Sequence, residues 1–310
     1  MITQRETSMI CLKKSTQLMR IYSLDISEYY IKKYSDAVSP ISIRELELIP
    51  YLRFLTANEL EKIFQIKRTI LKILTDYQTS AVMISPNSCN SIDEECYLKL
   101  STAISHLLGI PNTDPLSGKY YSTFTIKHTD DPLPNLLRPY EVFKMHTDGA
   151  YEKKPPDWIM LTKLSEESAV GGESRLLHID DWTDFNYFYS HAINQHALEF
   201  FSTPESISPL NRYVDKEKNH TVHSSVLRID NDQKSIRFVD RFISPKSLEE
   251  AKFIFDLQQS LEHSDAIMKI NIPVGGVLIL NNHYWLHGRN RFEANNMLSR
   301  KLMRQRGYLT

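Results

Sequence analysis

Cysteine is scarce in this 310-residue chain, and the three present, Cys11, Cys89 and Cys96, fall in no zinc-site spacing. An odd number with no pairing pattern argues against a disulfide framework and reads as thiols kept in a reducing compartment. Long hydrophobic runs are missing as well. No stretch approaches the ~20 apolar residues that span a bilayer, and MITQRETSMICLKKS at the start lacks the apolar core and small-residue cleavage site of a secretory signal. The expectation is a cytoplasmic protein with no membrane partner. Charge of one sign is absent too, since 37 basic residues meet 38 acidic ones for a formal net charge of -1. Nucleic acid is therefore not expected as a partner, and no aromatic-basic interleaving suggests a single-strand groove. There is no internal repeat, no low-complexity tract and no Gly-rich phosphate loop.

What is present is an ordinary globular composition, 41% hydrophobic and 24% charged, on a chain long enough to bury a sizeable core. Residues 57–77 carry Leu60, Ile63, Phe64, Ile70, Leu71 and Leu74 at helical steps, and Thr56 with Glu59 reads as a capping box. A short buried strand fits residues 81–84. A second helix is expected from Ser91 to Gly109, and a third over 247–261, capped by Ser247 with Glu250. After Pro115 the character changes to short β-type runs, at 120–126, 158–164, 174–179, 224–229, 235–239, 268–272, 277–282 and 301–309. Helices early and strands late predict a mainly β protein with flanking α-helices around a jelly-roll, cupin-like core. Residues 1–115 are expected as a mainly helical portion packed on a core of residues 116–310, the two making one integrated domain.

A facial set of two imidazoles and one carboxylate suits iron(II), because it leaves positions open for a chelating co-substrate and dioxygen. On a strand, residues i and i+2 share a face, so His-x-Asp can supply two ligands together. The chain has four such pairs, His128/Asp130, His146/Asp148, His178/Asp180 and His263/Asp265. His128 opens a turn-rich stretch, and His263 falls at the end of a predicted helix, where a histidine suits the helix C-terminus. His178 ends an apolar strand and stays in competition. His146 follows a short apolar stretch and stands before Gly149, which lets backbone approach a ligand. For the third ligand, His287 is the candidate, with His283 its rival at the end of the same apolar strand. Downstream, Arg304 and Arg306 lie two residues apart on one face of a strand, where a guanidinium can grip a carboxylate through paired hydrogen bonds.

Together, HTDG (146–149), GGESRLLHIDDW (171–182), NNHYWLHGRNRF (281–292) and LMRQRGY (302–308) resemble the CsiD family of iron(II)/2-oxoglutarate dioxygenases, the glutarate 2-hydroxylases. The resemblance runs from about residue 117 onward, with no secure correspondence before residue 45. It implies a double-stranded β-helix, a homo-oligomer, and a small free carboxylate as substrate. It also implies His146, Asp148 and His287 as metal ligands, Arg306 as the residue gripping the far carboxylate of 2-oxoglutarate, Ser174 as a hydroxyl offered to that co-substrate, and Arg304 as a substrate contact. Two departures bear on the substrate. Glu141 stands where the family pattern has a basic residue, and Lys153-Lys154 where it has acidic ones. A glutamate can receive an ammonium group, so an amino acid such as L-lysine competes with glutarate as the expected substrate. Outside this class, a non-catalytic jelly-roll that binds small carboxylates and a zinc hydrolase are the alternatives.

Overall fold

The computed structural model describes residues 10–14, 20–87, 92–114, 117–129, 137–202 and 220–310. Cys89, Ser91 and Asp130 lie outside the described residues. In chain order the chain forms strands β1 (Ile10–Lys14) and β2 (Ile21–Ser27), then helices α1 (Glu28–Val38), α2 (Ile43–Leu48), α3 (Pro50–Phe64) and α4 (Lys67–Thr75). Strand β3 (Ala81–Asn87), helix α5 (Glu94–Leu108), and strands β4 (Gly109–Pro111), β5 (Ser122–Lys127), β6 (Phe143–His146), β7 (Trp158–Glu167) and β8 (Ser174–His178) follow. Beyond them come helix α6 (Phe185–Ser190), strands β9 (Leu198–Ser202), β10 (His220–Ser224), β11 (Leu227–Asp230) and β12 (Gln233–Ile236), and helix α7 (Leu248–Glu262). The series closes with β13 (Met268–Ile270), β14 (Val277–Asn281), β15 (Trp285–Arg289) and β16 (Ser299–Leu309).

Local chemistry sets the helix boundaries, and not where the sequence suggests. The 57–77 periodicity belongs to two helices, separated where Gln65 turns left-handed at φ 51°. Proline at the first position of α3 starts that helix earlier, because its missing N–H would have no partner there anyway. Thr56 is therefore mid-helix, with its hydroxyl donating back to the Arg53 carbonyl, and caps nothing. The capping box among these helices is Ser42 with Glu45, at the start of α2. Helix α7 begins as the sequence predicts, the Ser247 side chain accepting from the Glu250 N–H.

Two sheets face each other. The larger runs β1-β2-β3-β14-β7-β16-β4, with β5 also paired to β16, and the smaller runs β13-β8-β15-β6. Pairing is antiparallel except between β2 and β3. Ile159, Leu278 and Leu280 of the larger sheet meet Leu176, Ile270 and Trp285 of the smaller in one buried cluster, which is the jelly-roll interior. Val277 and Ile279 point the other way, onto α1, α3, α4 and α5. The outer face of the smaller sheet, through Met145, Leu177 and Leu286, lies against α6 and α7. With both faces covered, β14 reads VLILN, apolar in four of its five residues and buried throughout. The early part of the chain is thus built into the core, since β2 and β3 extend the larger sheet and β4 pairs with β16. No helix among the described residues is long and apolar enough to cross a membrane.

Candidate metal centre and its surroundings

Strands β6 and β15 pair so that His146 and His287 are directly opposite. Their rings stand 4.2 Å apart, centroid to centroid. Asp148 follows two residues after His146, and its Oδ1 lies 3.6 Å from His146 Nε2 and 3.9 Å from His287 Nε2. One donor atom from each of the three falls within 4.8 Å of the others, and all three side chains are buried. Among the described residues this is the group of metal-ligating side chains that converges.

The loop that carries Asp148 is fixed by hydrogen bonds at several points. Asn282, just past β14, accepts from the Asp148 N–H at 2.8 Å and donates to the carbonyls of Asp148 and Pro156. Thr147 exchanges bonds with the Phe238 backbone. Gly149 takes φ 66°, and a Cβ there would come within 2.6 Å of Pro156. His146 Nδ1 lies 2.8 Å from the Lys144 carbonyl oxygen, which can only accept. The proton therefore sits on Nδ1, leaving the Nε2 lone pair facing Asp148 and His287.

Protonation states suit a cation. Burial pushes His287 down to about 3, with His146 adding to the effect, so its imidazole is neutral. Burial works to raise Asp148, but Arg304, His146 and His287 hold it well below the usual carboxylate range. Asp148 Oδ2 and His287 Nδ1 are buried with no hydrogen-bond partner, although Arg304 approaches that oxygen to 3.3 Å. The Nε2 atoms of His146 and His287 and the Oδ1 of an ionised Asp148, converging in a buried site, are donors that suit a divalent iron ion.

Arg304 and Arg306 adjoin this centre, and two further arginines lie along the same strand faces. Arg304 pairs with Asp114 at 2.9 Å as well as with Asp148, and Arg306 pairs with Glu152 at 2.8 Å. For both, burial works to depress the guanidinium, and it is more than offset by Asp148 and Asp114 at Arg304 and by Tyr151, Glu152 and Asp148 at Arg306. Sequence reading missed the other two. Arg289, opposite Ser174 across the β8–β15 pairing, and Arg300 both lie over the Phe292 ring, and burial pushes each down to about 10. Arg300 donates to the Gly172 carbonyl, and its Nε has no partner. The available signal was strand parity: Arg300 shares a face with Arg304 and Arg306, and Arg289 with His287.

The remaining candidates fall elsewhere. Glu141 is exposed and takes its charge partner from Arg138, at 3.1 Å, so it does not line the centre. Ser174 is buried on β8, on the same face as Leu176. His178 is a core histidine, with Nε2 on the Tyr77 carbonyl and Nδ1 accepting from the Asp180 N–H. His263 caps α7 against Gln259, and the rival His283 pairs with Asp157. Lys153 and Lys154 are exposed.

The family model for CsiD matches residues 10–309, far more than the stretch from residue 117 in which the resemblance is legible by eye. A glutarate 2-hydroxylase of Citrobacter koseri is 33% identical over 298 residues, covering 95% of this chain and 89% of that protein. One from Salmonella typhimurium strain LT2 is 32% identical, covering 99% of this chain and 92% of its own length. Among solved structures, the non-heme iron oxygenase OrfP with Fe, succinate and (3S)-hydroxy-L-Arg aligns at a TM-score of 0.66 and 14% identity, over 92% of this chain and 94% of that one. An asparagine oxygenase with Fe(II), 2S,3S-3-hydroxyasparagine and succinate aligns at 0.65 and 12%, over 91% and 93%. At such identity these two speak for the shared jelly-roll fold.

Proposed function

This chain belongs to the CsiD family, and from that premise we propose that it is an iron(II)- and 2-oxoglutarate-dependent dioxygenase hydroxylating an unactivated C–H bond of a small free carboxylate. The observation that carries the reading is the convergence of His146, Asp148 and His287 in a buried site beside Arg304 and Arg306. Bound there, iron(II) would couple the oxidative decarboxylation of 2-oxoglutarate by dioxygen, giving succinate and CO2, to substrate hydroxylation.

The chain's own residues place the reactants and keep water out. Arg289 is two residues beyond His287 on β15, about 6.6 Å along a strand, roughly the reach of a five-carbon diacid chelated at the metal. Ser174 and Arg300 adjoin that end of the interior. Arg300 has no carboxylate within ion-pairing range among the described residues, whereas Arg306 already holds Glu152. We therefore assign the far carboxylate of 2-oxoglutarate to Arg300 and Ser174, in preference to Arg306, and leave Arg304 and Arg306 for the substrate. Asn282 and the Lys144 carbonyl act as positioning groups for the ligands.

Glutarate and a free amino acid such as L-lysine are the two substrate candidates. The relatives named for glutarate support the first, while the support that Glu141 lent to the second falls away with its exposure. Oxygen uptake and succinate release with iron(II), 2-oxoglutarate and a panel holding both candidates test the assignment. No metal-dependent succinate with any member would overturn it in favour of a non-catalytic carboxylate binder. A homo-oligomer is also proposed, supported by the exposed row Leu48, Tyr51, Phe54 and Leu55 on α2 and α3, and light scattering would read it.

A further inference from the structure

The interior holds a charge balance that the reaction itself does not require. Asp148 is committed to the metal. That leaves Asp114 against Arg304 and Glu152 against Arg306, two acids for two guanidiniums. A substrate docking beside these arginines meets two internally neutral pairs, with the buried Arg237 as a further cation at the Glu152 backbone. A dicarboxylate would bring two further negative charges there, one of them close to Glu152. A substrate with one carboxylate and one ammonium would bring none in sum.

We propose that Glu152 sets the charge class of the substrate, selecting a free amino acid, with one carboxylate and a cationic amine, over a dicarboxylate. This deepens the hydroxylase reading and rests on it. Three observations support it. Arg304 and Arg306 each keep an Nε–H with no partner, so a donor is free for one substrate carboxylate even with the ion pairs intact. Glu152 uses Oε1 on Arg306, and no other side-chain hydrogen bond of its carboxylate occurs among the described residues, so Oε2 can accept from an ammonium. Its side chain, 24% exposed, is the most open of the set, against 3% for Asp114 and Arg306, 6% for Asp148 and 15% for Arg304. Burial also holds Glu152 above the usual carboxylate range despite Arg306, so a second positive group beside it would relieve a cost already present. Two features anchor the residue. Its backbone carbonyl accepts from the buried Arg237, and its own N–H donates to the Gly149 carbonyl.

The test is binding without dioxygen. The iron(II)- and 2-oxoglutarate-loaded protein is titrated calorimetrically with a series of matched chain length, glutarate, pentanoate and norvaline, plus lysine. Wild type should bind one of the amino acids about tenfold or more tighter than glutarate, and Glu152→Gln should weaken that amino acid and tighten glutarate by about tenfold each. The substitution keeps side-chain size and an acceptor for Arg306, and an unchanged melting temperature confirms folding. Should it misfold, the wild-type ranking alone decides. Glutarate as the tightest ligand of wild type, or no binding by any member, overturns the proposal. Failure of turnover would strike the oxygenase reading and leave the ranking legible, whereas an active enzyme that prefers glutarate would sink only this inference.

Discussion

Two His-x-Asp pairs of identical spacing, both beginning on strands of the smaller sheet, meet opposite fates. At His178 both ring nitrogens are spoken for, by the Tyr77 carbonyl and the Asp180 N–H, and the Asp180 carboxylate takes the Tyr77 hydroxyl at 2.5 Å. At His146 only Nδ1 is used, and the remaining lone pair converges with those of His287 and Asp148. Spacing delivers two side chains to one place in each case. A cation can be held only where the surrounding polypeptide leaves those lone pairs unmatched.

The sharpest way to break this contrast is to remove a ligand. His146→Ala or Asp148→Ala should abolish iron binding and bring coupled succinate release to the metal-free background, while His178→Leu should leave turnover within about twofold. Equal losses at both pairs, in assays of succinate and bound iron, would erase the distinction. Next in size is the co-substrate. Arg300→Met should raise the Michaelis constant for 2-oxoglutarate about 30-fold or more, from the loss of a buried charge-assisted contact. Arg306→Met should act mainly on the substrate's constant, and the reverse pattern would return the co-substrate to Arg306. Asn282→Ala releases the Asp148 loop and should weaken iron binding by about 10- to 100-fold in a chelator competition, by analogy with other outer-shell groups.

Smaller effects are read in stability. Burial pushes His178 and His106 down to about 4, so both stay neutral in the fold while the unfolded chain protonates near its ordinary 6.5. Between these values the unfolded state binds more protons, and stability therefore rises with pH and is lost as pH falls from about 6.5 toward 4. Urea midpoints of the metal-free protein across that window should decline, and His178→Leu should flatten the slope while costing about 1–3 kcal/mol at pH 7 for the partners it orphans. A slope unchanged in that variant would remove His178 from the account. Smallest of all, Glu141→Ala should leave every kinetic constant within about twofold, since its carboxylate meets only Arg138 at the surface.

Most of the strand framework was legible because strands covered on both faces become apolar runs. VLILN at β14 and SRLLH at β8 announce themselves in that way. Much of α7 and the latter part of α5 were equally plain from period and cap. The left-handed Gln65 that splits residues 57–77 was not, since nothing in that side chain demands φ 51°. Strands β1 and β2 escaped because their partners are set by tertiary pairing and not by local alternation. At the centre, the convergence of His146, Asp148 and His287 was legible once family motifs reinforced the spacing. Arg289, Arg300, Asn282 and Glu152 were not, because their roles depend on which strands become neighbours and on how the loop after Asp148 folds back. Glu141 misled for a related reason: it lies in the bend before β6, and proximity in sequence to His146 does not carry its side chain to the centre.

Strand β16 pairs with β7, β5 and β4 and carries Arg300, Arg304 and Arg306. The consequence is one of timing during synthesis. A nascent polypeptide halted before residue 299 already owns His146, Asp148 and His287, yet it has none of these three counter-charges and an unzipped seam where β16 belongs. Ferrous ion captured then would lack these counter-charges, so the centre is complete only once β16 has zipped against its partner strands.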